Sequence, residues 1–167
     1  DQNWVFQITP SAQGAGTVSY PAGQYSDGAN TNNAATPLNF NWDTVAPTPV
    51  ITVSSPPLPD PVGAPFNVDV DFGVGVTTAE ANQLTVSGGG SASVVSGNSG
   101  DQNWVFQITP SAQGAGTVSY PAGQYSDGAN TNNAATPLNF NWDTVAPTPV
   151  ITVSSPPLPD PVGAPFN

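Results

Sequence analysis

The sequence contains no lysine, arginine, histidine, cysteine or methionine. Without cysteine it can form neither a disulfide framework nor a thiolate metal site. Without basic side chains it lacks the contacts that nucleic acids and anionic membrane surfaces require, so we expect no nucleic-acid binding and no direct membrane insertion. The common catalytic bases and nucleophiles are missing as well, which predicts a protein that is not an enzyme.

The charge that is present has a single sign. Ten aspartates and one glutamate give a net charge of −11. A chain of this kind is soluble and repels its own copies, and cations are its natural small partners.

A long repeat organises the chain. Residues 1–67 are identical to residues 101–167, so the sequence repeats with a period of 100 residues. That period is too long for a helical solenoid unit, and it matches a small domain with its own core. The partners that this arrangement predicts are neighbouring identical units, and other filaments of the same kind.

The segment DTVAPTP occurs at 43–49 and again at 143–149, and it is the predicted domain boundary. Its prolines restrict the backbone and remove donors from a β-ladder, which makes a stiff joint. We therefore expect the end of one unit at 1–42, a complete unit at 43–142 and the beginning of the next unit at 143–167. Because no methionine is present to start it, the chain is expected to be part of a longer array.

Short alternating segments predict an all-β fold. Twenty prolines and seventeen glycines are spread along the chain, and no segment shows helical periodicity. In PFNVDVDFG at 65–73, apolar and polar residues alternate with the period of a strand that has one buried face. Seven strands are predicted in one period, at about 49–54, 65–73, 82–88, 91–96, 102–109, 115–121 and 136–142.

Seven short strands in about 100 residues are typical of an immunoglobulin-like sandwich. The predicted fold class is therefore an all-β, seven-stranded immunoglobulin-like sandwich repeated in tandem, like beads on a string. The short loops GGG at 88–90 and GNSG at 97–100 have hairpin-like lengths. A long loop rich in aspartate and asparagine, at 124–135, joins the last two strands.

These segments together resemble a known family. The joint DTVAPT, the strand PFNVDVDF, an aromatic strand ending in ITP and the run GTVSYPAG are similar to the tandem bacterial Ig-like repeats of giant extracellular adhesins and biofilm surface proteins. The resemblance implies an extracellular or cell-surface location and a role as a structural extender or fibre-forming repeat. It also implies calcium at domain junctions. The loop SDGANTNN at 126–133 departs from the usual family loop, which tends to read DAAGN.

A junction calcium site is the metal hypothesis. In a seven-stranded sandwich, several loops gather at the pole where the first strand enters, and Ca²⁺ binds six to eight oxygen ligands. The candidate ligands are Asp43 from the joint, Asp127 from the long loop, and Asp101 or Glu80 from neighbouring loops, with Asp143 equivalent at the second joint. The alternative interpretation is that these are solvated turn residues, since Asp and Asn favour turns on backbone grounds alone.

A second function class stays open beside the extender. A carbohydrate- or surface-binding module on the same sandwich requires exposed aromatic side chains, and the candidates are Tyr125 in the long loop and Trp142 beside the joint. Trp104 alternates with Phe106 and Ile108 and is predicted to lie in the core. The paired Asp69 and Asp71 are predicted to lie on an exposed strand face.

Overall fold

The computed structural model describes residues 3–55 and 57–152, and these are mostly antiparallel β-sheet. In the described residues two strands lie within 1–42 and seven lie between 50 and 142. The strands are β1 Gly14–Val18, β2 Leu38–Trp42, β3 Val50–Val53, β4 Phe66–Asp71, β5 Thr85–Val86, β6 Ser91–Ser96, β7 Asn103–Thr109, β8 Gly114–Ser119 and β9 Leu138–Trp142. A single helical turn, α1 Thr78–Ala81, and a 3₁₀ turn, Ser87–Gly89, follow β4 and β5.

Residues 1–42 are called the first unit and residues 43–142 the complete unit. The strands of the complete unit form two antiparallel sheets. One has the order β3-β4-β7-β6 and the other has the order β5-β8-β9. The register of β4 on β7 places Val68 opposite Phe106 and Val70 opposite Trp104. All four side chains are buried, so the predicted alternation of these two strands is confirmed.

One apolar core lies between the two sheets. Phe66 of β4 contacts Phe140 of β9 edge to face, with 5.4 Å between the ring centroids. Phe72, directly after β4, packs against Tyr120 and Tyr125 at 5.1 and 5.5 Å. Edge-to-face aromatic pairs of this kind stabilise a core beyond the apolar area that they bury.

Two local features differ from the sequence predictions. The segment after β4 forms the helical turn α1, because Thr77 and Glu80 make a reciprocal capping box that satisfies the first backbone donors. The glycines at 88–90 do not close a hairpin, because β5 and β6 belong to different sheets. The loop at 97–100 does join paired neighbours, β6 and β7.

The described residues of the two terminal segments, 3–42 and 143–152, contain fewer strands than their identical copies in 43–142. Residues 3–9 form no strand, although the identical residues 103–109 form β7. The reason is that β7 is hydrogen-bonded on both sides by strands from 43–100, whereas 3–9 has no such neighbours in the described part of the chain. Likewise, 143–152 forms no strand, and the rest of the predicted strands at the end of the chain lies outside the described residues.

The repeat provides a matched test of this fold. Ile51 of β3 is 8% exposed, whereas Ile151, its copy in the identical sequence, is 95% exposed. We expect Ile51→Ala to lower the free energy of unfolding by about 2 kcal/mol, because it leaves a cavity at the edge of the core. Ile151→Ala should leave it unchanged within about 0.5 kcal/mol. Urea unfolding of both variants measures the difference, and equal effects would contradict the placement of the core.

Candidate junction site

The joint at 43–49 is held to the unit that precedes it. Gly14 pairs with Trp42 at the ends of β1 and β2, which places Gln13 beside the first residues of the joint. The Gln13 Nε2 donates to Asp43 Oδ1 at 3.2 Å, and Gln13 Oε1 accepts from the Thr44 backbone N–H at 2.8 Å. Asp43 Oδ1 also accepts from the Val45 N–H at 2.9 Å, so one carboxylate oxygen shapes the start of the joint.

The same joint is held to the unit that follows it. Asn130 Nδ2, in the long loop of the complete unit, donates to the Asp43 carbonyl oxygen at 3.2 Å. The Asn133 N–H donates to the Pro47 carbonyl at 2.8 Å, and its side-chain Nδ2 donates to Thr48 Oγ1 at 3.0 Å. Asp43 therefore contacts both units, through its side chain on one side and through its backbone on the other.

The second joint repeats two of the three bonds that hold the first joint to the residues before it. Gln113 Nε2 donates to Thr144 Oγ1 at 2.7 Å, and Gln113 Oε1 accepts from the Thr144 N–H at 3.2 Å. Asp143 Oδ1 accepts from the Val145 N–H at 2.8 Å, as Asp43 does in the first joint. Two of the three bonds therefore recur, whereas the glutamine Nε2 donates to Asp43 Oδ1 in the first joint and to Thr144 Oγ1 in the second.

The long loop is built around the side chain of Asn132. Its Oδ1 accepts from the N–H groups of Gln124 and Tyr125, at 2.7 and 3.0 Å. Its Nδ2 donates to the carbonyls of Pro121 and Asn133, at 2.9 and 2.7 Å. Such bonds between asparagine side chains and the backbone define tight loops. The loop therefore presents Asn130 and Asn133 to the joint from a fixed backbone.

The identical loop in the first unit has the same internal bonds. Asn32 Oδ1 accepts from the N–H groups of Gln24 and Tyr25, and its Nδ2 donates to the carbonyls of Pro21 and Asn33. The conformation of the loop is thus set by its own sequence, because it forms without the four-stranded sheet.

The loop aspartate predicted to bind calcium is engaged by its own turn. Asp127 Oδ1 accepts from the N–H groups of Asn130 and Ala129, at 2.7 and 2.8 Å. These donors, that of Asn130 first, hold the pKa of the Asp127 carboxyl below its ordinary value. The bonds stabilise the charged form, so their contribution to the loop is present at neutral pH and is lost as the pH falls through the lowered pKa.

The other candidate ligands are also partnered locally. Asp101 Oδ2 accepts from the Asn98 N–H at 2.8 Å, and Glu80 Oε2 accepts from Thr77 N and Oγ1 at 2.6 and 2.8 Å. Among residues 3–55 and 57–152, no group of three or more acidic side chains could hold a metal ion. Calcium at Asp43, Asp127, Asp101, Glu80 and Asp143 therefore stays a prediction from the sequence.

The loop that follows β4 meets the loop that precedes β7. The Val76 N–H donates to the Asp101 carbonyl at 3.0 Å, and the Val76 carbonyl accepts from the Gly100 N–H at 2.8 Å. The Tyr120 hydroxyl donates to the Glu80 carbonyl, which ties α1 to the end of β8. Backbone and phenol hydrogen bonds thus hold these loops together.

The aromatic candidates for ligand binding lie in the core of the complete unit. Tyr125 is 4% exposed and donates its hydroxyl to the Phe72 carbonyl at 2.7 Å, so its predicted exposure is wrong for this unit. Trp142 is buried and pairs with Val62 in a parallel bridge. The Ser54 hydroxyl donates to Asp69 Oδ1 at 2.8 Å. The Gly73 N–H and the Gln102 Nε2 both donate to Asp71 Oδ1, each at 2.8 Å.

Burial of two tyrosines predicts sensitivity to alkali. Burial raises the pKa of Tyr125 from 10.0 to about 12, and it raises the pKa of Tyr120 further. Between pH 10 and 12 these phenols ionise in the unfolded chain but stay protonated in the folded one, so the unfolded state binds fewer protons. The stability that these protonated phenols contribute should therefore be fully present and independent of pH below pH 10, and it should be lost as the pH rises from 10 through their raised pKa. Melting temperatures across this range measure the effect, and a flat profile up to pH 12 would contradict it.

The amino-acid sequence gives no sign that Gln13 and Asn133 hold the joint. Neither is charged, and their contacts depend on which residues are opposite across a strand pair or a long loop. The pairing of Gly14 with Trp42 would have located Gln13, but the 19 residues between β1 and β2 do not reveal that register.

Comparison with known protein families, curated proteins and solved structures finds no match to this chain. Within the part of the chain that the structure describes, no helix has the length and apolar character needed to cross a bilayer.

Proposed function

We propose that this chain is a non-enzymatic structural extender, made of immunoglobulin-like sandwich units joined in tandem, from a secreted bacterial surface adhesin or filament. Its role is mechanical, because each unit adds a fixed length and each joint limits the angle to the next unit. The contact of Asp43 with both flanking units carries this proposal.

The strand order supports the immunoglobulin-like assignment. Named A to G in chain order from β3 to β9, the two sheets read A-B-E-D and C-F-G. This order agrees with the constant-type arrangement of immunoglobulin domains, in which strands A, B, E and D face C, F and G, and it therefore supports the proposed fold. The unit has no cysteine, so its likeness to antibody domains concerns architecture alone.

The joint contacts support the stiffness that an extender needs. Pro47 and Pro49 restrict the backbone of the joint, and the polar bonds to Gln13, Asn130 and Asn133 fix it on both sides. Each neutral hydrogen bond contributes about 0.5–1.5 kcal/mol. Several such bonds acting on seven residues limit the directions that the second unit can take.

The joint can be tested with a matched pair of variants. Asn130→Ala/Asn133→Ala removes the side-chain bonds to the joint, whereas Asn30→Ala/Asn33→Ala changes the same loop sequence in the first unit. Fluorescent labels at Ser11→Cys and Ser93→Cys report the distance between the two units. We expect the first double variant to broaden the distance distribution while the control keeps it narrow. Equal distributions in both would overturn the proposed role of the docked joint.

Calcium is a separate part of the proposal. A rise in melting temperature on adding Ca²⁺, abolished by Asp43→Asn, would support a junction site. If neither Ca²⁺ nor EDTA changes the melting temperature, the calcium part of the proposal is overturned and the hydrogen-bonded joint remains as the source of stiffness.

The binding-module alternative requires exposed aromatic side chains, and Tyr125 and Trp142 are both buried in the complete unit.

A further inference from the structure

Each of the two joints shows one half of the contacts that a joint between two complete units has. At the first joint the complete unit follows, and its Asn130 Nδ2 donates to the Asp43 carbonyl oxygen at 3.2 Å. At the second joint the complete unit precedes, and its loop 57–64 is hydrogen-bonded to Asp143. The first unit contains no copy of that loop, because residues 1–42 repeat only 101–142. The two halves together describe a joint with a complete unit on either side.

Backbone hydrogen bonds attach loop 57–64 to the end of β9. The Val62 N–H donates to the Asn141 carbonyl at 2.7 Å, and the Asp143 N–H donates to the Val62 carbonyl at 3.0 Å. The next residue of the loop is Gly63, where a Cβ would lie 3.4 Å from the carbonyl oxygen of Asp143. Position 63 therefore borders the oxygen that is equivalent to the one Asn130 binds at the first joint.

The two joints begin in the same conformation, so the contacts of one can be carried to the other. The strand pairs that lead into them, β1 with β2 and β8 with β9, have the same register. The carboxylates of Asp43 and Asp143 both accept from the N–H two residues later, at 2.9 and 2.8 Å. The carbonyl oxygen of Asp143 is therefore placed to accept from a copy of Asn130 in a following unit.

Burial shows the same division between the two joints. Asp43 is followed by the complete unit and is half-buried, whereas Asp143 is exposed. Trp142 is bridged to loop 57–64 and is 7% exposed, whereas Trp42 is 39% exposed. The following unit thus covers the aspartate of a joint, and the loop of the preceding unit covers the tryptophan. A joint with both neighbours therefore buries both residues.

We propose that loop 57–64 of one unit packs against the long loop, 124–135, of the next unit, with Gly63 and Asn130 meeting at the carbonyl of the joint aspartate. The partner is the following copy of the unit in the same array, because the joint that leads to it carries the shared carbonyl. Gly63 and Ala64 are small, uncharged and exposed, which leaves room for the asparagine side chain beside that oxygen. The inference rests on the proposed tandem extender and deepens it by naming the surfaces through which neighbouring units touch.

The two surfaces lie at opposite ends of a unit, as contact in series requires. Loop 57–64 precedes β4, whereas Gly73 follows it, and a Cβ at Gly73 would lie 4.0 Å from the Pro47 side chain. The Pro47 carbonyl accepts a backbone hydrogen bond from the long loop, 124–135. The six residues of β4 span about 20 Å. A unit therefore cannot bring these two loops of its own together.

Cross-linking across one joint tests the contact, because the chain has no cysteine of its own. The full chain is extended by repeating residues 68–142 after residue 167, which completes the unit that begins at 143. Gly63→Cys is combined with a cysteine at the copy of Asn130 in the added unit. The matched control combines Gly63→Cys with Asn130→Cys, which are the same two substitutions within one unit. We expect a bismaleimide much shorter than β4 to link the first pair in most of the monomeric chains and to leave the control pair unlinked.

Mobility on a denaturing gel detects the link, and sedimentation velocity confirms that the chains are monomers. Efficient linkage across the joint supports the proposal, and no linkage in a folded chain overturns it. Equal linkage of the control pair would overturn it as well, because the reagent would then join loops that the fold holds apart. The extender role is tested separately by the length of the array, so a constant increase in length without the cross-link would reject this contact alone. If Gly63→Cys fails to fold, as judged by near-ultraviolet circular dichroism, Ala64→Cys replaces it with the same outcomes.

Discussion

Replacing Phe72 with alanine should lower the free energy of unfolding of the complete unit by about 3–5 kcal/mol. Phe72 is fully buried and packs edge to face against Tyr120 and Tyr125. Its removal leaves a cavity where the long loop meets the end of β4. Because the Phe72 carbonyl also anchors the Tyr125 hydroxyl, relaxation into that cavity would strain a buried hydrogen bond. Chemical unfolding followed by tryptophan fluorescence measures the loss.

The exposed Phe6 supplies the control for that substitution. It is the same residue type, but its side chain has no core around it in this chain. Phe6→Ala should change the free energy of unfolding by no more than about 0.5 kcal/mol. A loss of similar size in both variants would mean that 1–42 contributes to the folded core as much as 43–142 does.

Gly97→Ala should destabilise the complete unit by about 2–5 kcal/mol, from two sources that add. Gly97 has a φ of 132°, a region that side-chain-bearing residues rarely adopt. A Cβ at this position would also lie 2.4 Å from the ring of Trp104, which is itself buried. The hairpin between β6 and β7 therefore needs glycine for both its backbone angle and its close contact with the core.

Gly100, in the same hairpin loop, separates these two sources. Its φ is 97°, but a Cβ there would meet no atom within 4 Å. Gly100→Ala should therefore cost only the backbone strain, about 1–2 kcal/mol. Thermal unfolding compares the stability of the two variants. Equal losses of stability would show that the contact with Trp104 adds nothing to the cost of the Gly97 substitution.

The strands were the most predictable part of this fold, because their alternation is strong. In segment 65–73 every second residue is Val or Phe, and in 102–109 the same pattern places Trp104, Phe106 and Ile108 inside. Strand β6 has the predicted bounds, 91–96. The helical turn α1 escaped prediction because four residues are too few to show a period, although Thr77 and Glu80 have the spacing of a capping box.

The hydrogen bonds that hold the joint at 43–49 could not be predicted from the sequence. The prolines located the joint, and the excess of acidic residues suggested a cation as the element that holds it. In the structure, Asp43 and Asp127 accept hydrogen bonds from backbone N–H groups of their own turns, and calcium at these residues stays a prediction. The neutral side chains of Gln13 and Asn133 hold the joint, and composition carries no signal for such pairs.

Burial of Tyr125 depended on long-range packing that a local pattern could not show. The residue lies in a polar loop, surrounded by Gln124, Ser126 and Asp127 in sequence. It is buried because Phe72, 53 residues earlier, accepts its hydroxyl and packs against its ring. The copy at Tyr25 has the same neighbours in sequence and stays exposed, so tertiary context alone decides between the two.

The most direct test of the extender is the length of the array as units are added. Polypeptides with two, three and four copies of residues 43–142 can be compared by small-angle X-ray scattering. Strand β7 has seven residues and spans about 24 Å, so each unit with its loops and joint should add about 40 Å. The maximum dimension should therefore rise by a constant step with each copy. The extender account would be contradicted if the radius of gyration grew as about the 0.38 power of chain length, as it does in a compact globule.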